Sequence, residues 1–183
     1  GFISSGEFEE ATGTPVVGSI PRFVARRGLE YGADWATVAQ PFSNFSEAVR
    51  RLRLGVESWC VDEHYCLMVT STLPQEGKTT IALALARTIA AANKNVLLID
   101  ADLRRPSVER YIKASSDRTL GDFLSNPEMR FEDLVPLKEE ATGLNLIVNS
   151  EEHGATDAFA LSERLQSLIT QAKANYDVVI VDA

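Results

Sequence analysis

Apolar and polar residues alternate along the middle of the chain in blocks that predict a strand, a helix and a second strand. The run YCLMVTS is short, apolar and rich in β-forming residues. Residues 78–93 are rich in Ala and Leu, with apolar positions at helical spacing at Ile81, Leu85 and Ile89. The run NVLLID then predicts a second buried strand. This succession predicts a βαβ unit with parallel strands and a right-handed crossover.

The second half of the chain continues the alternation. The runs TLGDFL and FEDLVPL predict short helices, LNLIVN predicts a third strand and YDVVIVD a fourth. Between the last two strands, one apolar helical face is formed by Leu161, Leu165, Leu168, Ile169 and Ala172. Alternation of this kind predicts an α/β fold in which a parallel sheet is flanked by helices.

The N-terminal part of the chain follows a different pattern. Residues 1 to about 40 show no sustained helical or alternating period, so we predict an extended linker or arm. A helix is predicted from near Ser46, because Asn44 is followed three residues later by Glu47 in a capping-box arrangement. Apolar residues then recur at helical spacing at Val49, Leu52 and Val56. The segment SEAVRRLRLGVESW therefore predicts a basic amphipathic helix.

Composition narrows the class of protein. A chain of 183 residues with 45% apolar composition can bury one sizeable core. The formal net charge of −8 argues against a nucleic-acid partner held by a basic face. Two cysteines are too few for a disulfide framework and fit a reducing cytosolic setting. The apolar runs are too short to predict a membrane span.

The stretch TSTLPQEGKTT predicts a phosphate-binding loop. Gly77, Lys78 and Thr79 follow the end of the pattern G-x-x-x-x-G-K-[ST], between a predicted strand and a predicted helix. Thr72 stands where the pattern has its first glycine, which requires only that Thr72 leave the strand without positive φ. Lys78 is the expected cation at the β- and γ-phosphates and Thr79 the expected magnesium ligand. The nucleotide-binding residues predicted here are Gln75, Glu76, Gly77, Lys78, Thr79 and Thr80.

Three aspartates are predicted to lie at the carboxyl edge of the sheet, where ligands of open α/β folds bind. Asp100 ends the second strand, Asp102 follows it, and Asp182 ends the last apolar strand. Carboxylates beside a triphosphate can hold magnesium or accept the proton of an attacking hydroxyl. The alternative is structural: Asp100 caps the strand end, and Asp102 pairs with Arg104 or Arg105.

Together, the motifs TSTLPQEGKTT, LLIDADLRRP and VVIVD resemble those of the bacterial tyrosine kinases, the autokinases of capsule and exopolysaccharide assembly. Members of that family carry a small hydroxyl residue in place of the first loop glycine, and an aspartate motif D-x-D-x-R. Thr72 matches the first trait, and Asp100, Asp102 and Arg104 match the second. The resemblance implies a P-loop NTPase-like fold, ATP and Mg²⁺ as ligands, and phosphoryl transfer from ATP to tyrosine.

The predicted site residues take roles in that reaction. Lys78, Asp100, Asp102 and Asp182 are the predicted catalytic residues. The predicted magnesium ligands are Thr79, Asp100 and Asp182, and Asp102 is expected nearest the incoming tyrosine hydroxyl. Which aspartate is base and which is ligand stays open, because neighbouring carboxylates share their titration.

The resemblance extends to the N-terminal part. EAVRRLR places Glu47, Arg50 and Arg53 in the spacing E-x-x-R-x-x-R, which in this family is the self-association motif of a ring. Helical geometry puts these residues on one face, and a solvated charged face is the alternative. EFEEATGTPVVGSIPRF resembles the segment leading from the second membrane helix into the kinase domain. We therefore expect a juxtamembrane arm at 1–43 and a kinase domain at 44–183.

The resemblance also implies a location and partners. It places the domain at the cytoplasmic face of the bacterial plasma membrane. The expected partners are a membrane copolymerase, in the same or another chain, and a cognate tyrosine phosphatase, with no nucleic acid. The chain departs from the family in EEHGATDAFALSERL, where an N-P-S-E-L type sequence is usual, and it lacks a tyrosine-rich tail. Because it begins at Gly1 and stops at Ala183, we expect a cut piece whose domain lacks its C-terminal part.

Two other functions stay open. The first is an ATPase of the partition or septum-site type, although Leu73 occupies the position of that group's signature lysine. The second is a nucleotide-dependent assembly scaffold with little catalysis. Phosphate transferred to tyrosine would separate a kinase from both.

Overall fold

The computed structural model describes residues 4–24, 31–73, 75–103, 105–149 and 158–183, with only the backbone of 158–161 described. The helices in these ranges are α1 (Ser5–Thr12), α2 (Ala33–Ala39), α3 (Asn44–Glu57), α4 (Lys78–Ala90), α5 (Val108–Ile112), α6 (Leu120–Ser125) and α7 (Ala158–Asn175). The strands are β1 (Tyr65–Val69), β2 (Val96–Asp100), β3 (Leu137–Glu139), β4 (Leu144–Ile147) and β5 (Val178–Asp182). The predicted α/β class is confirmed.

The strands form one five-stranded sheet in the order β1-β5-β2-β4-β3. Strands β1, β5, β2 and β4 are parallel, as the sequence predicted, while β3 pairs antiparallel with β4. Every residue of β2 and β5 is buried, because helices cover both faces of the sheet. This explains why both strands are continuous apolar runs instead of alternating ones.

Two apolar layers enclose the sheet. On one face, α4 lies between the sheet and the helices α2 and α3, and its Leu83, Leu85 and Ile89 are at most 3% exposed. Burying each of these side chains contributes roughly 1.5–3 kcal/mol. On the other face, Leu168 and Ala172 of α7 pack with α6 against β2 and β5. The apolar face predicted for α7 is therefore confirmed at these two positions and at Leu165 and Ile169, which are partly buried against the same layer, while the side chain of Leu161 lies outside the described residues.

The predicted helix in FEDLVPL is wrong beyond its first turn. Only Phe131–Asp133 form a helical turn, of the 3-10 type, and Leu137–Glu139 form the edge strand β3. A three-residue strand is too short to show a period of two, so the sequence pattern could not identify it. Helix α5 was likewise not predicted.

The N-terminal part is only partly extended. Residues 13–24 lack regular structure, but Ser5–Thr12 and Ala33–Ala39 are helical, so the predicted extended arm is wrong for these two segments. Each helix is too short to produce a sustained apolar period. The ring of Phe23 packs edge-on against Phe45, with centroids 5.7 Å apart, and so docks this part on the core.

Helix α3 begins slightly before its predicted start. Its N-cap is Ser43, whose side chain accepts the Ser46 N–H, instead of the predicted Asn44. The Ser46 hydroxyl donates to the carbonyl oxygens of Ala36 and Gln40, at 3.1 and 2.7 Å. The domain boundary predicted between residues 43 and 44 thus separates two helices that contact each other, and it stays a prediction. In the described part of the chain, no helix is long and apolar enough to cross a membrane.

Candidate nucleotide site

The loop between β1 and α4 has the backbone that a phosphate cradle needs. Gly77 precedes the first residue of α4 with φ of 93°, a conformation that L-residues with side chains rarely adopt. Thr72 is not among the described residues with positive φ, which confirms the prediction made for that position. The Glu76 carboxylate accepts the Leu73 N–H at 3.0 Å and the Thr72 hydroxyl at 3.2 Å, folding the loop back on its own start. The N–H groups of the first turn of α4 thus lie at the helix N-terminus, where anions bind.

The sheet register brings the predicted carboxylates together. Asp182 of β5, the strand between β1 and β2, lies beside Val69 on one side and Asp100 on the other. All three residues are at the carboxyl ends of parallel strands, so the phosphate loop after Val69 begins next to both aspartates. This is the edge of the sheet that the sequence predicted for the site.

Lys78 joins the loop to the aspartates. Its Nζ lies 3.0 Å from Asp102 Oδ2 and 3.2 Å from Asp182 Oδ1. Burial lowers the pKa of Lys78, but the hydrogen bonds and charges of Asp102 and Asp182 outweigh it and raise the pKa above its usual value. Lys78 is therefore a fixed cation beside the loop, and its predicted contact with the β- and γ-phosphates stays a prediction. The alternative pairing of Asp102 with Arg104 lies outside the described residues; the Arg105 N–H donates to Asp102 Oδ1 at 3.0 Å.

Asp100 is fully buried and held by backbone groups. Its Oδ2 accepts the N–H groups of Ser107 and Val108 at 3.1 and 3.0 Å. Burial raises the pKa of Asp100 to about 6, the nearby Asp182 adds to the rise, and the backbone hydrogen bonds oppose it. The Asp100 carboxylate thus has a structural contact, but with the start of α5 and not with the end of its own strand as the structural alternative had it.

Two buried carboxylate oxygens at this edge are unsatisfied. Asp100 Oδ1 and Asp182 Oδ2 have no hydrogen-bond partner among the described residues. A buried oxygen left without a partner costs free energy unless a ligand satisfies it. Within the described residues no group of three or more His, Cys, Asp or Glu side chains could hold a metal. Magnesium nevertheless fits the pair Asp100 and Asp182, because this ion does not need three protein carboxylates. It is usually bound through one or two carboxylates together with substrate phosphates.

Two residues near the loop were missed by sequence reasoning. Ser107 Oγ lies 3.0 Å from the Thr79 hydroxyl, and Tyr111 Oη lies 3.3 Å from the Thr80 hydroxyl. Both belong to the segment that contains α5, and neither is part of a recognisable motif. Only their position after the D-x-D stretch could have drawn attention to them.

The charged face of α3 is distant in sequence from this site. Glu47 and Arg50 form an ion pair of 2.7 Å, and Arg53 lies 3.5 Å from Glu57. The hydrogen bond and charge of Arg50 lower the pKa of Glu47. The side chains of Glu47 and Arg50 are 48% and 38% exposed, so the predicted self-association face is accessible in this chain.

The fold and site define a phosphate-loop α/β domain of the nucleotide-binding class. Residues 75–183 match the family model described as "AAA domain". The chain therefore belongs to the AAA domain family. Its similarity to the bacterial tyrosine kinases, predicted from three motifs, is confirmed by the relatives that it matches.

Several curated relatives are named as kinases. The chain is 30% identical over 146 residues to tyrosine-protein kinase Etk of Escherichia coli, covering 79% of this chain and 20% of Etk. It is 32% identical to tyrosine-protein kinase YwqD of Bacillus subtilis, covering 85% of this chain and 65% of YwqD. The succinoglycan biosynthesis transport protein ExoP of Rhizobium meliloti is 29% identical, with 79% of this chain and 19% of ExoP covered. The chain thus spans about a fifth of Etk.

Solved structures agree with this similarity. The kinase domain of the Escherichia coli tyrosine kinase Etk superposes with a TM-score of 0.79 at 27% identity, covering 98% of this chain and 71% of that one. The septum-site-determining protein MinD of Pyrococcus horikoshii, solved with Mg-ADP, gives a TM-score of 0.52 at 21% identity, covering 64% of this chain and 48% of that one. The second match shows the shared fold alone.

Proposed function

We propose that this chain is the ATP-dependent protein-tyrosine autokinase domain of a system that polymerises and exports a capsular polysaccharide or exopolysaccharide. The observation that carries the proposal is the contact of Lys78, at the end of the phosphate loop, with both Asp102 and Asp182. That contact places three charged residues from three sequence motifs at one point. The relatives named tyrosine kinases and the transport protein ExoP support the reaction and the setting.

The phosphate loop supplies the binding of ATP in this proposal. Lys78 exchanges its carboxylate partners for the β- and γ-phosphates, and the N–H groups at the start of α4 bind phosphate oxygens. Gln75, Glu76, Gly77 and Thr80 complete the loop around the nucleotide. Because Lys78 leaves Asp102 when it binds phosphate, ATP binding makes the Asp102 carboxylate available to a second ligand.

Asp102 then accepts the proton of the incoming tyrosine hydroxyl. The phenolic oxygen forms a bond to the γ-phosphorus, the bond between that phosphorus and the bridging oxygen breaks, and ADP leaves with the electron pair. Asp100, Asp182 and Thr79 would hold Mg²⁺ through oxygen. The ion supplies neutralisation of charge on the phosphates when it is bound.

The decisive test is transfer of radiolabelled phosphate from ATP to tyrosine in the complete protein. Lys78→Met should abolish transfer and weaken a non-hydrolysable ATP analogue roughly 10- to 100-fold in calorimetry, because a charge-assisted contact is lost. The matched control is Lys94→Met, which removes an exposed lysine four residues beyond the C-terminal end of α4 and should change neither quantity. Unchanged analogue affinity in Lys78→Met would refute the assigned role of the loop.

The same assay separates the two alternative functions. A septum-site type ATPase would release inorganic phosphate without labelling tyrosine, and a scaffold would bind the analogue with neither product. Leu73, at the position of the signature lysine of such ATPases, is an exposed apolar residue here, so no cation lies at that point of the loop.

The setting and partners belong to the same proposal. We place the domain at the cytoplasmic face of the bacterial plasma membrane, where it is joined to or paired with a membrane copolymerase. A tyrosine phosphatase removes the phosphate groups that the kinase adds. Self-association into a ring is assigned to Glu47, Arg50 and Arg53 of α3, whose side chains are 48%, 38% and 23% exposed. Nucleic acid is not an expected partner, because the net charge is −8.

A further inference from the structure

The segment that follows the D-x-D stretch contacts both the phosphate loop and the buried aspartate. Ser107 Oγ lies 3.0 Å from Thr79 Oγ1, and the Ser107 N–H donates to Asp100 Oδ2 at 3.1 Å. Ser107 therefore contacts two of the three residues that we assign to magnesium. Ser107 directly follows the motif LLIDADLRRP and lies 28 positions after Thr79.

The chemistry of a hydroxyl ligand explains why such a contact matters. A hydroxyl has one proton to donate and two lone pairs to accept with. When the oxygen of Thr79 binds a metal, a lone pair is used and the proton must be donated to another acceptor. Thr79 is only 6% exposed, so solvent has little access to that proton. Ser107 Oγ is at the right distance to accept it.

We propose that Ser107 is a positioning residue for magnesium in this site. Its Oγ accepts the Thr79 proton and so fixes the rotamer in which the Thr79 lone pair is directed towards the metal. Its N–H at the same time orients the Asp100 carboxylate. Groups that orient metal ligands in this way typically alter metal affinity 10- to 100-fold when they are lost. The inference rests on the proposed function, since it presupposes the magnesium-nucleotide site.

The test is a magnesium titration of nucleotide binding in the complete protein, with a fluorescent non-hydrolysable ATP analogue as the probe. Ser107→Ala should raise the Mg²⁺ concentration at half-saturation about tenfold. The affinity for the analogue in EDTA should stay at the wild-type value, because the loop and Lys78 are intact. Ser107→Thr keeps a hydroxyl at this position and should restore the wild-type half-saturation.

A neighbouring contact offers a matched control. Tyr111→Phe removes the hydroxyl that lies 3.3 Å from Thr80 and leaves the Ser107–Thr79 contact in place. It should leave the half-saturating Mg²⁺ concentration within about twofold of wild type, well below the effect of losing an orienting group. An equal rise in Ser107→Ala and Tyr111→Phe would overturn the inference, because it would show only a general loosening of this segment.

A double-mutant cycle keeps the inference testable if Ser107→Ala also lowers stability. In a Thr79→Ala background, Ser107→Ala should have little further effect on the half-saturation, since the hydroxyl that it orients is absent. Equal effects in the two backgrounds, or an unchanged half-saturation in Ser107→Ala alone, would overturn the inference.

The outcome is distinguishable from failure of the kinase proposal. If the analogue binds in a magnesium-dependent way but tyrosine is not labelled, the kinase proposal is refuted and the proposed role of Ser107 still holds. If magnesium does not change the affinity of the wild-type protein for the analogue, the proposed role of Ser107 is refuted, whatever the labelling assay shows.

Discussion

At the scale of single residues, Asp100 has an unusual environment for a carboxylate. It is fully buried, it accepts two backbone N–H groups, and its second oxygen has no partner among the described residues. Burial raises its pKa to about 6. The folded protein therefore favours the protonated form more than the unfolded chain does. The stability that Asp100 contributes is present below its ordinary pKa of about 4 and is lost as the pH rises through about 6.

The first prediction follows from that sign. Asp100→Asn removes the buried charge, so without nucleotide and magnesium it should raise the free energy of unfolding at pH 7.5 by roughly 1–3 kcal/mol. The gain should shrink as the pH falls from 7.5 to 5, because the wild-type carboxylate becomes protonated. Urea unfolding in EDTA at both pH values measures this. A gain that is the same at both values would show that the effect does not come from the charge.

Asp102 is predicted to affect turnover more than binding. Asp102→Asn keeps the size of the side chain but cannot accept the tyrosine proton, so the rate of phosphoryl transfer should fall by about 10²–10⁴. Affinity for the ATP analogue should change by less than about fivefold, because phosphate contacts replace the Lys78–Asp102 pair on binding. Single-turnover labelling and calorimetry on the same preparation compare the two quantities. Equal losses in both would assign Asp102 to nucleotide binding instead.

At the scale of elements, a buried arginine joins three of them. Arg87 of α4 is 1% exposed and stacks on Trp35, with its guanidinium carbon 4.5 Å from the ring centroid. Its NH1 bonds Asp34 of α2 at 3.0 Å, and its NH2 bonds Glu139 of β3 at 2.7 Å. Arg87 thereby fixes α4, the helix that begins at the phosphate loop, to helix α2 and to the edge strand β3.

Loss of this arginine should be strongly destabilising. Arg87→Ala leaves Asp34 and Glu139 without their cation, and removal of one partner from a buried ion pair costs about 3–5 kcal/mol. Arg51→Ala is the matched control, since Arg51 is 76% exposed and should change stability by less than about 0.5 kcal/mol. Urea denaturation of both variants compares them. A similar small change in both would mean that the three elements hold together without the arginine.

At the scale of the whole molecule, the accessible charged face of α3 lies outside the nucleotide site. Replacing Arg50 and Arg53 together by Ala should leave analogue binding intact and abolish ring formation by the complete cytoplasmic domain, reducing phosphorylation between subunits. The physical reason is loss of the cations that would pair with a neighbouring subunit. Light scattering measures assembly, with Arg51→Ala as the control on the same helix. Rings that persist in the double variant would identify this face as a solvated surface.

The sequence alone determined the features that depend on residues close together in the chain. The strand, loop and helix around Gly77 could be predicted because their apolar periods and the loop pattern each occupy fewer than about twenty residues. Asp100 and Asp182 could be placed at one edge because parallel strands align their carboxyl ends. The position of the phosphate loop, the two strand-end aspartates and the class of fold are therefore determined by the sequence alone.

Tertiary structure decided the features that depend on contacts between distant segments. The edge strand β3 is defined by its pairing with β4. Helix α2 packs on α4, and the carbonyl oxygen of its Asp34 accepts a hydrogen bond from Arg87. Ser107 lies 28 positions from Thr79, so no local pattern could place their hydroxyls 3.0 Å apart. The physical reason is that local propensities are weak compared with the free energy of burial, so long-range packing settles whatever short patterns leave undetermined.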